Sequence, residues 1–221
     1  DFYADDSRRL ATVLTRLAEN MLELGENRQA HEYASRVIEL LPASINGLLC
    51  KARAELALGR SEQAMATLLR ARNLEPDNHL VWWFLATVHA SPGLADPGLR
   101  LDCLRQAARL APDEIRYSRA IARLFLDRGE TGEALDWYRR AAARNAAASS
   151  ALAPTIRDLE RTLLERDLAD AERSARGSDR ALLTVARRYR EVLGPGHPGA
   201  WRCLHAASAL NPRHAGLHVL A

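Results

Sequence analysis

Apolar residues recur along this chain in steps of three and four, and the runs they form stop at the same kinds of residue each time. LTRLAENMLELG (14–25) puts its leucines and Ala18 on one side of a helix and ends at Gly25. RQAHEYASRVIELLP (28–42) repeats the spacing and ends at Pro42. A period near 3.6 is the mark of an amphipathic helix. Glycine can take the left-handed conformation that ends a helix, and proline cannot continue one. LLCKARAELALG (48–59) and SEQAMATLLRARNLEP (61–76) then give the same pair of helices with the same two endings.

Comparison of the chain with itself turns this into a period. Gly25, Gly59 and Gly93 are 34 residues apart and Gly129 follows after 36; Pro42 and Pro76 are 34 apart and Pro112 follows after 36. Ala18, Ala52, Ala86 and Ala122 keep the same steps, as small residues that let paired helices approach closely. Three kinds of marker share one period and one slip of two residues. The slip has a cause in SPGLADPG (91–98), which lengthens the turn inside the third unit. LGPGHPG (193–199) lengthens another turn in the same way. After it, Ala200, Leu204, Ala207, Leu210 and Pro212 restore the spacing of Ala64, Leu68, Ala71, Leu74 and Pro76. The predicted units are 11–44, 45–78, 79–114, 115–148 and 179–212. Residues 149–178 are a degenerate stretch, either a shortened pair or one long helix, with Pro154 suited to a helix start. AGLHVLA (215–221) reads as the start of a further helix, and with Asp1 in place of an initiating Met it makes the chain an expected fragment of a longer protein.

These units resemble the tetratricopeptide repeat (TPR) family, whose pattern is W-x2-L-G-x2-Y, then A-x3-F, then P, over 34 residues. Trp82-x2-Leu85-Ala86-x2-His89 matches the first part, with alanine for glycine and histidine for tyrosine, while Ala134-x3-Tyr138 and Ala64-x3-Leu68 match the second. The resemblance implies an all-α, right-handed superhelical solenoid of antiparallel helix pairs, in about five to six repeats forming one domain over 1–221. It also implies that the second, fifth, ninth and twelfth places of each unit line the concave face.

That register separates the adjacent indoles of HLVWWFLATVHA (79–90), which leave a helix about 100° apart. Trp82 is expected to pack between helices. Trp83 is expected in the groove, either as an anchor for a partner or packed against a neighbouring helix or the 91–98 turn. The inward places are Thr12, Thr15, Glu19 and Leu22 in the first unit and Asn46, Leu49, Arg53 and Leu56 in the second. The fourth gives Arg116, Arg119, Arg123 and Leu126, and the last gives Arg180, Leu183, Arg187 and Arg190. The candidate partner-binding residues are therefore Trp83, Arg53, Arg116, Arg119, Arg123, Arg180, Arg187 and Arg190. Two arginine stripes on one wall would draw an extended, acidic or mixed acidic and apolar segment; the alternative is a solvated face partly neutralised by Asp127, Asp179 and Glu191. Chaperone-binding members of the family clamp a C-terminal carboxylate with basic residues and asparagines. The matching places here carry Thr15, Glu19, Cys50, Leu80 and Phe84, which cannot form that clamp, and the set one unit later keeps only Arg53 and Arg116.

Composition narrows the reading further. Of 31 basic residues only Lys51 is lysine, and arginine suits bidentate contacts to carboxylates. Residues 1–78 carry 10 basic and 12 acidic residues, 79–146 carry 10 and 8, and 147–221 carry 11 and 8, so positive charge gathers toward the C-terminal end. Net charge of +3 makes nucleic acid an unlikely partner and RNA binding the least favoured reading. Cys50, Cys103 and Cys203 form neither a CxxC pair nor an even-numbered framework. Cys203, His205, His214 and His218 match no standard zinc spacing. No P-loop, GxGxxG, HExxH or GxSxG is present, so the expectation is no catalytic residue, cofactor or metal. No run approaches the roughly 20 apolar residues of a membrane span. Location is left open between cytoplasm, slightly favoured, and periplasm if the parent carries a leader. The leading function is a non-catalytic protein-interaction scaffold, of the kind found in bacterial secretion or polysaccharide-export assemblies. The second is the recruiting arm of a larger glycosyl- or sulfotransferase.

Overall fold

A computed structural model of the chain describes residues 2–144 and 146–213, with side chains from Asp6 onward. Eleven α-helices account for the regular structure among them. They are α1 (Phe2–Glu23), α2 (Asn27–Leu40), α3 (Ile45–Ala57), α4 (Ser61–Leu74), α5 (His79–Val88) and α6 (Pro97–Leu110). Then come α7 (Ile115–Asp127), α8 (Thr131–Ala142), α9 (Ala146–Ser174), α10 (Asp179–Leu193) and α11 (Pro198–Leu210). Consecutive helices from α1 to α8, and α10 with α11, form stacked antiparallel pairs, so the molecule is a helical solenoid.

The recurrent glycines do what the pattern predicts. Gly25, Gly59, Gly93 and Gly129 all have φ between 75° and 85°. The residue after three of them closes the helix by donating to a carbonyl five residues back: Glu26 to Met21, Arg60 to Glu55 and Glu130 to Phe125, each 2.8–2.9 Å. Helix starts use side-chain caps. Ser44 accepts from Gly47 N–H, Asn78 from Leu80, and Asp96 from both Gly98 and Leu99, ahead of Pro97 at the first helical position.

The alanines of the repeat are sealed. Ala18, Ala52, Ala86, Ala122 and Ala186 on first helices, and Ala30, Ala64, Ala134 and Ala200 on second helices, are at most 2% exposed. Gly47 is tighter still: an added Cβ would lie 2.7 Å from Val37 Cγ1, so α3 passes α2 with only a hydrogen between them. Among the described residues one carboxyl side chain is buried. Glu55 accepts from Thr67 Oγ1 at 2.8 Å and faces His31 Nε2 at 3.5 Å, which ties α2, α3 and α4 together.

The degenerate stretch is one long helix. α9 runs unbroken over 29 residues, about 44 Å, and Pro154 sits inside it rather than at its start. Proline removes one backbone donor and leaves the carbonyl of Ser150 without its helical partner; Ser150 is exposed, so water can satisfy that oxygen. The two ends of α9 belong to different cores. Leu152, Ile156 and Leu159 pack into the large cluster that runs from α3 to α8, whereas Leu168, Ala171 and Ala175 pack with α10 and α11.

Candidate binding groove

The first helices of the pairs bring their inward residues together in three connected clefts. Thr12, Thr15, Arg16 and Glu19 of α1 face Ser44 and Asn46 across a cavity of about 250 Å³. Glu19 and Asn46 also line the next, about 460 Å³, with Leu49 and Arg53 of α3, Leu80, Trp83 and Phe84 of α5, and Arg116 of α7. Arg116 in turn opens the third, about 330 Å³, with Arg119, Arg123, Leu124 and Asp127 of α7, Arg100 of α6 and Tyr138 of α8. The result is a middle cleft in which Leu49, Leu80, Trp83 and Phe84 stand beside Arg53, Arg116 and Glu19, next to a more strongly cationic end.

In the middle, Trp83 is half-buried and its ring stands 5.3 Å from that of Tyr117, tilted by 42°. Tyr117 is fully buried, and its hydroxyl lies 2.6 Å from His79 Nδ1. Arg116 covers Tyr117 at 5.5 Å, and Arg53 covers Phe84 at 5.9 Å. Aromatic rings thus hold two of the guanidinium groups in place. Glu114 accepts from Arg116 at 2.5 Å; this contact holds the Glu114 carboxyl below its ordinary value and pushes the Arg116 guanidinium above its own. Arg100, Arg119 and Arg123 have no ion pair among the described residues, and Asp127 is the only carboxylate lining their cleft. Burial pushes the thiol of Cys50, at the edge of the middle cleft, up to about 11, so it is a neutral packing group at neutral pH.

The arginines of the last pair stand apart. Arg187 and Arg190 line a separate cleft of about 480 Å³ on α10 and α11, which shares no residue with the other three. Arg180 is exposed and lies outside it. The two arginine stripes thus line separate clefts, with α9 between α8 and α10 in place of another helix pair. Trp82, expected to pack between helices, is packed against the large core cluster but only partly buried. Its ring is half-buried, flanked by Arg72 at 5.9 Å, and its Nε1 donates to the Pro76 carbonyl at 2.7 Å. It packs at the edge of the core, where the turn after α4 leaves one side open. His214 and His218 of the considered metal group lie outside the described residues, and Cys203 is buried.

Arg100 and Tyr138 were not among the candidate binding residues read from sequence, although Tyr138 was matched as a second-helix repeat position. They come from second helices, which a register restricted to first helices cannot reach. Leu80 was legible, since it holds the second place of the unit starting at His79, the place of Asn46 and Arg116.

The tetratricopeptide repeat profile matches residues 45–88, which span α3 to α5. A solved thermophilic TPR protein of Thermus thermophilus is 25% identical, with 64% of this chain and 81% of that one aligned at a TM-score of 0.56. The chain has the fold of tetratricopeptide-repeat proteins. PilF of Pseudomonas aeruginosa aligns with 98% of the chain and 100% of its own at a TM-score of 0.62 and 16% identity. YrrB, described as a TPR protein with an unusual peptide-binding site, aligns over 97% and 94% at 0.51 and 15%. At that identity both show a shared fold. No curated protein matches the chain. The TPR fold is that of protein-interaction scaffolds, and among the described residues no helix is long and apolar enough to cross a membrane.

Proposed function

We propose that this TPR protein is a non-catalytic scaffold that holds an extended partner segment along its first helices, apolar side chains in the middle cleft and carboxylates at the cationic end. The observation that carries this is the continuity of the clefts: Arg116 is shared by the cavity lined with Leu49, Leu80, Trp83 and Phe84 and by the one lined with Arg100, Arg119 and Arg123. An apolar floor beside unpaired guanidinium groups suits a segment that carries both kinds of side chain, because fixed positive charge gives register and the aromatic wall gives contact area. A peptide-binding site in a protein of the same fold, YrrB, is consistent with this use.

The test is an array of synthetic extended peptides in which leucine and glutamate positions are varied independently. Peptides with both are expected to bind, and exchange of glutamate for lysine is expected to abolish binding. Arg119→Glu with Arg123→Glu should lower affinity at least tenfold. Equal capture of acidic and basic peptides would overturn the assignment, as would preferential capture of RNA oligonucleotides.

A further inference from the structure

The separate cleft on α10 and α11 repeats the cationic end of the groove in position but not in chemistry. At a fixed offset of 64 residues, Arg119, Arg123 and Asp127 of α7 correspond to Leu183, Arg187 and Glu191 of α10. Tyr138 and Leu204 correspond as well, each four residues after the alanine that opens its helix pairing, Ala134 and Ala200. All four places line a cavity in both pairs. The same site of the repeat has therefore been left open twice.

Two exchanges change what it can hold. Leucine replaces Arg119 at 183, and leucine replaces Tyr138 at 204, so the second cavity is the larger, about 480 Å³ against 330 Å³, and its walls are aliphatic. At its rim stand Arg187 and Arg190 beside Glu191, and none of the three is ion-paired among the described residues. The net positive rim around an aliphatic pocket suits an aliphatic side chain with an adjoining carboxylate. α9 holds this cleft off the groove: its first half packs on the α3–α8 core and its second half on the α10–α11 core.

We propose that α10 and α11 form a second, independent binding site, and that it takes a leucine-like side chain next to a carboxylate from a separate stretch of the partner. The proposal borrows only the mixed acidic and apolar class of ligand from the groove reading; its geometry stands alone. It makes the protein a two-point clamp whose jaws are set apart by the length of α9.

The measurement is calorimetric titration of the whole chain with a short synthetic peptide alternating leucine and glutamate, too short to reach both sites. Two peptides per chain are expected. Arg187→Glu with Arg190→Glu should remove one of them and leave the other, and Arg119→Glu with Arg123→Glu should remove the complementary one. Leu183→Asp supplies a second variant at the same cleft, and it too should leave the groove site intact. If wild-type stoichiometry is one and the Arg187→Glu, Arg190→Glu protein binds as the wild type does, the second site is overturned. If instead the Arg119 and Arg123 exchange changes nothing while the α10 exchange removes binding, the groove reading fails and the second site stands.

Discussion

Neighbouring residues in this chain have separate duties, and single substitutions should show it. Gly47 has no room for a methyl group because Val37 already occupies the space, whereas nothing lies within 4 Å of the corresponding point at Gly132. Gly47→Ala should therefore cost about 1–3 kcal/mol by overpacking, while Gly132→Ala should be neutral to about 1 kcal/mol stabilising, as expected of alanine in an exposed helical position. Urea denaturation of the two variants measures both signs. Trp82→Phe keeps an aromatic ring but removes the donor to Pro76. It should cost about 1 kcal/mol, less than a sealed core indole would, and it should leave peptide affinity unchanged. Trp83→Phe should lower peptide affinity instead, since Trp83 lines the middle cleft. A fall in affinity at Trp82 alone would mean that the two rings have the opposite duties.

At the scale of elements, α9 is the feature with the most consequence. Leu152→Ala should loosen the α3–α8 core and Leu168→Ala the α10–α11 core, each by about 2–5 kcal/mol, since each leucine is buried in one cluster only. Hydrogen exchange should then rise in different helices for the two variants. The C-terminal end of α9 is also fastened by Glu172, which accepts from Arg202 Nε and Nη2 at 3.1–3.2 Å and from the Tyr189 hydroxyl at 3.2 Å. The hydrogen bonds from Arg202 hold the Glu172 carboxyl below its ordinary value of 4.5. As pH falls, the unfolded chain takes up that proton first, so the contribution is complete above the ordinary carboxylate range and is lost as pH drops through the depressed folded value. Acid titration of Glu172→Gln against the wild type checks this: the difference in α10–α11 protection should be present at pH 7 and shrink as pH falls below the ordinary carboxylate range.

The repeat itself was legible because its markers obey local rules. A glycine at positive φ ends the first helix of the four leading pairs, and a proline follows the second helix of every pair but α7–α8, so the period shows in the sequence even where one marker is missing. α9 was not settled, since a long helix without glycine or proline endings has the same three- and four-residue spacing as a worn pair. Pro154 pointed to a helix start, but an exposed Ser150 allowed the helix to run through it. The groove was half legible. Its first-helix residues follow a fixed register, while Arg100 and Tyr138 arrive through the packing of second helices, which no single helical face encodes.

On the scale of the molecule, a net charge of only +3 conceals a local concentration of Arg100, Arg116, Arg119 and Arg123 in one cleft. Binding of a mixed acidic and apolar peptide should thus weaken with salt but not disappear, since screening acts on the guanidinium groups and not on the contact with Leu49, Leu80, Trp83 and Phe84. The four tryptophans supply the most direct test of the whole account, because only Trp83 lines one of the four cavities named above; Trp82, Trp137 and Trp201 do not. In a nuclear magnetic resonance titration of the full chain with the leucine–glutamate peptide, each indole N–H gives its own signal, assigned by single Trp→Phe variants. The groove predicts that the Trp83 signal moves saturably while those of Trp82 and Trp137 stay in place. A saturable shift at Trp82 or Trp137 with Trp83 unmoved would contradict it.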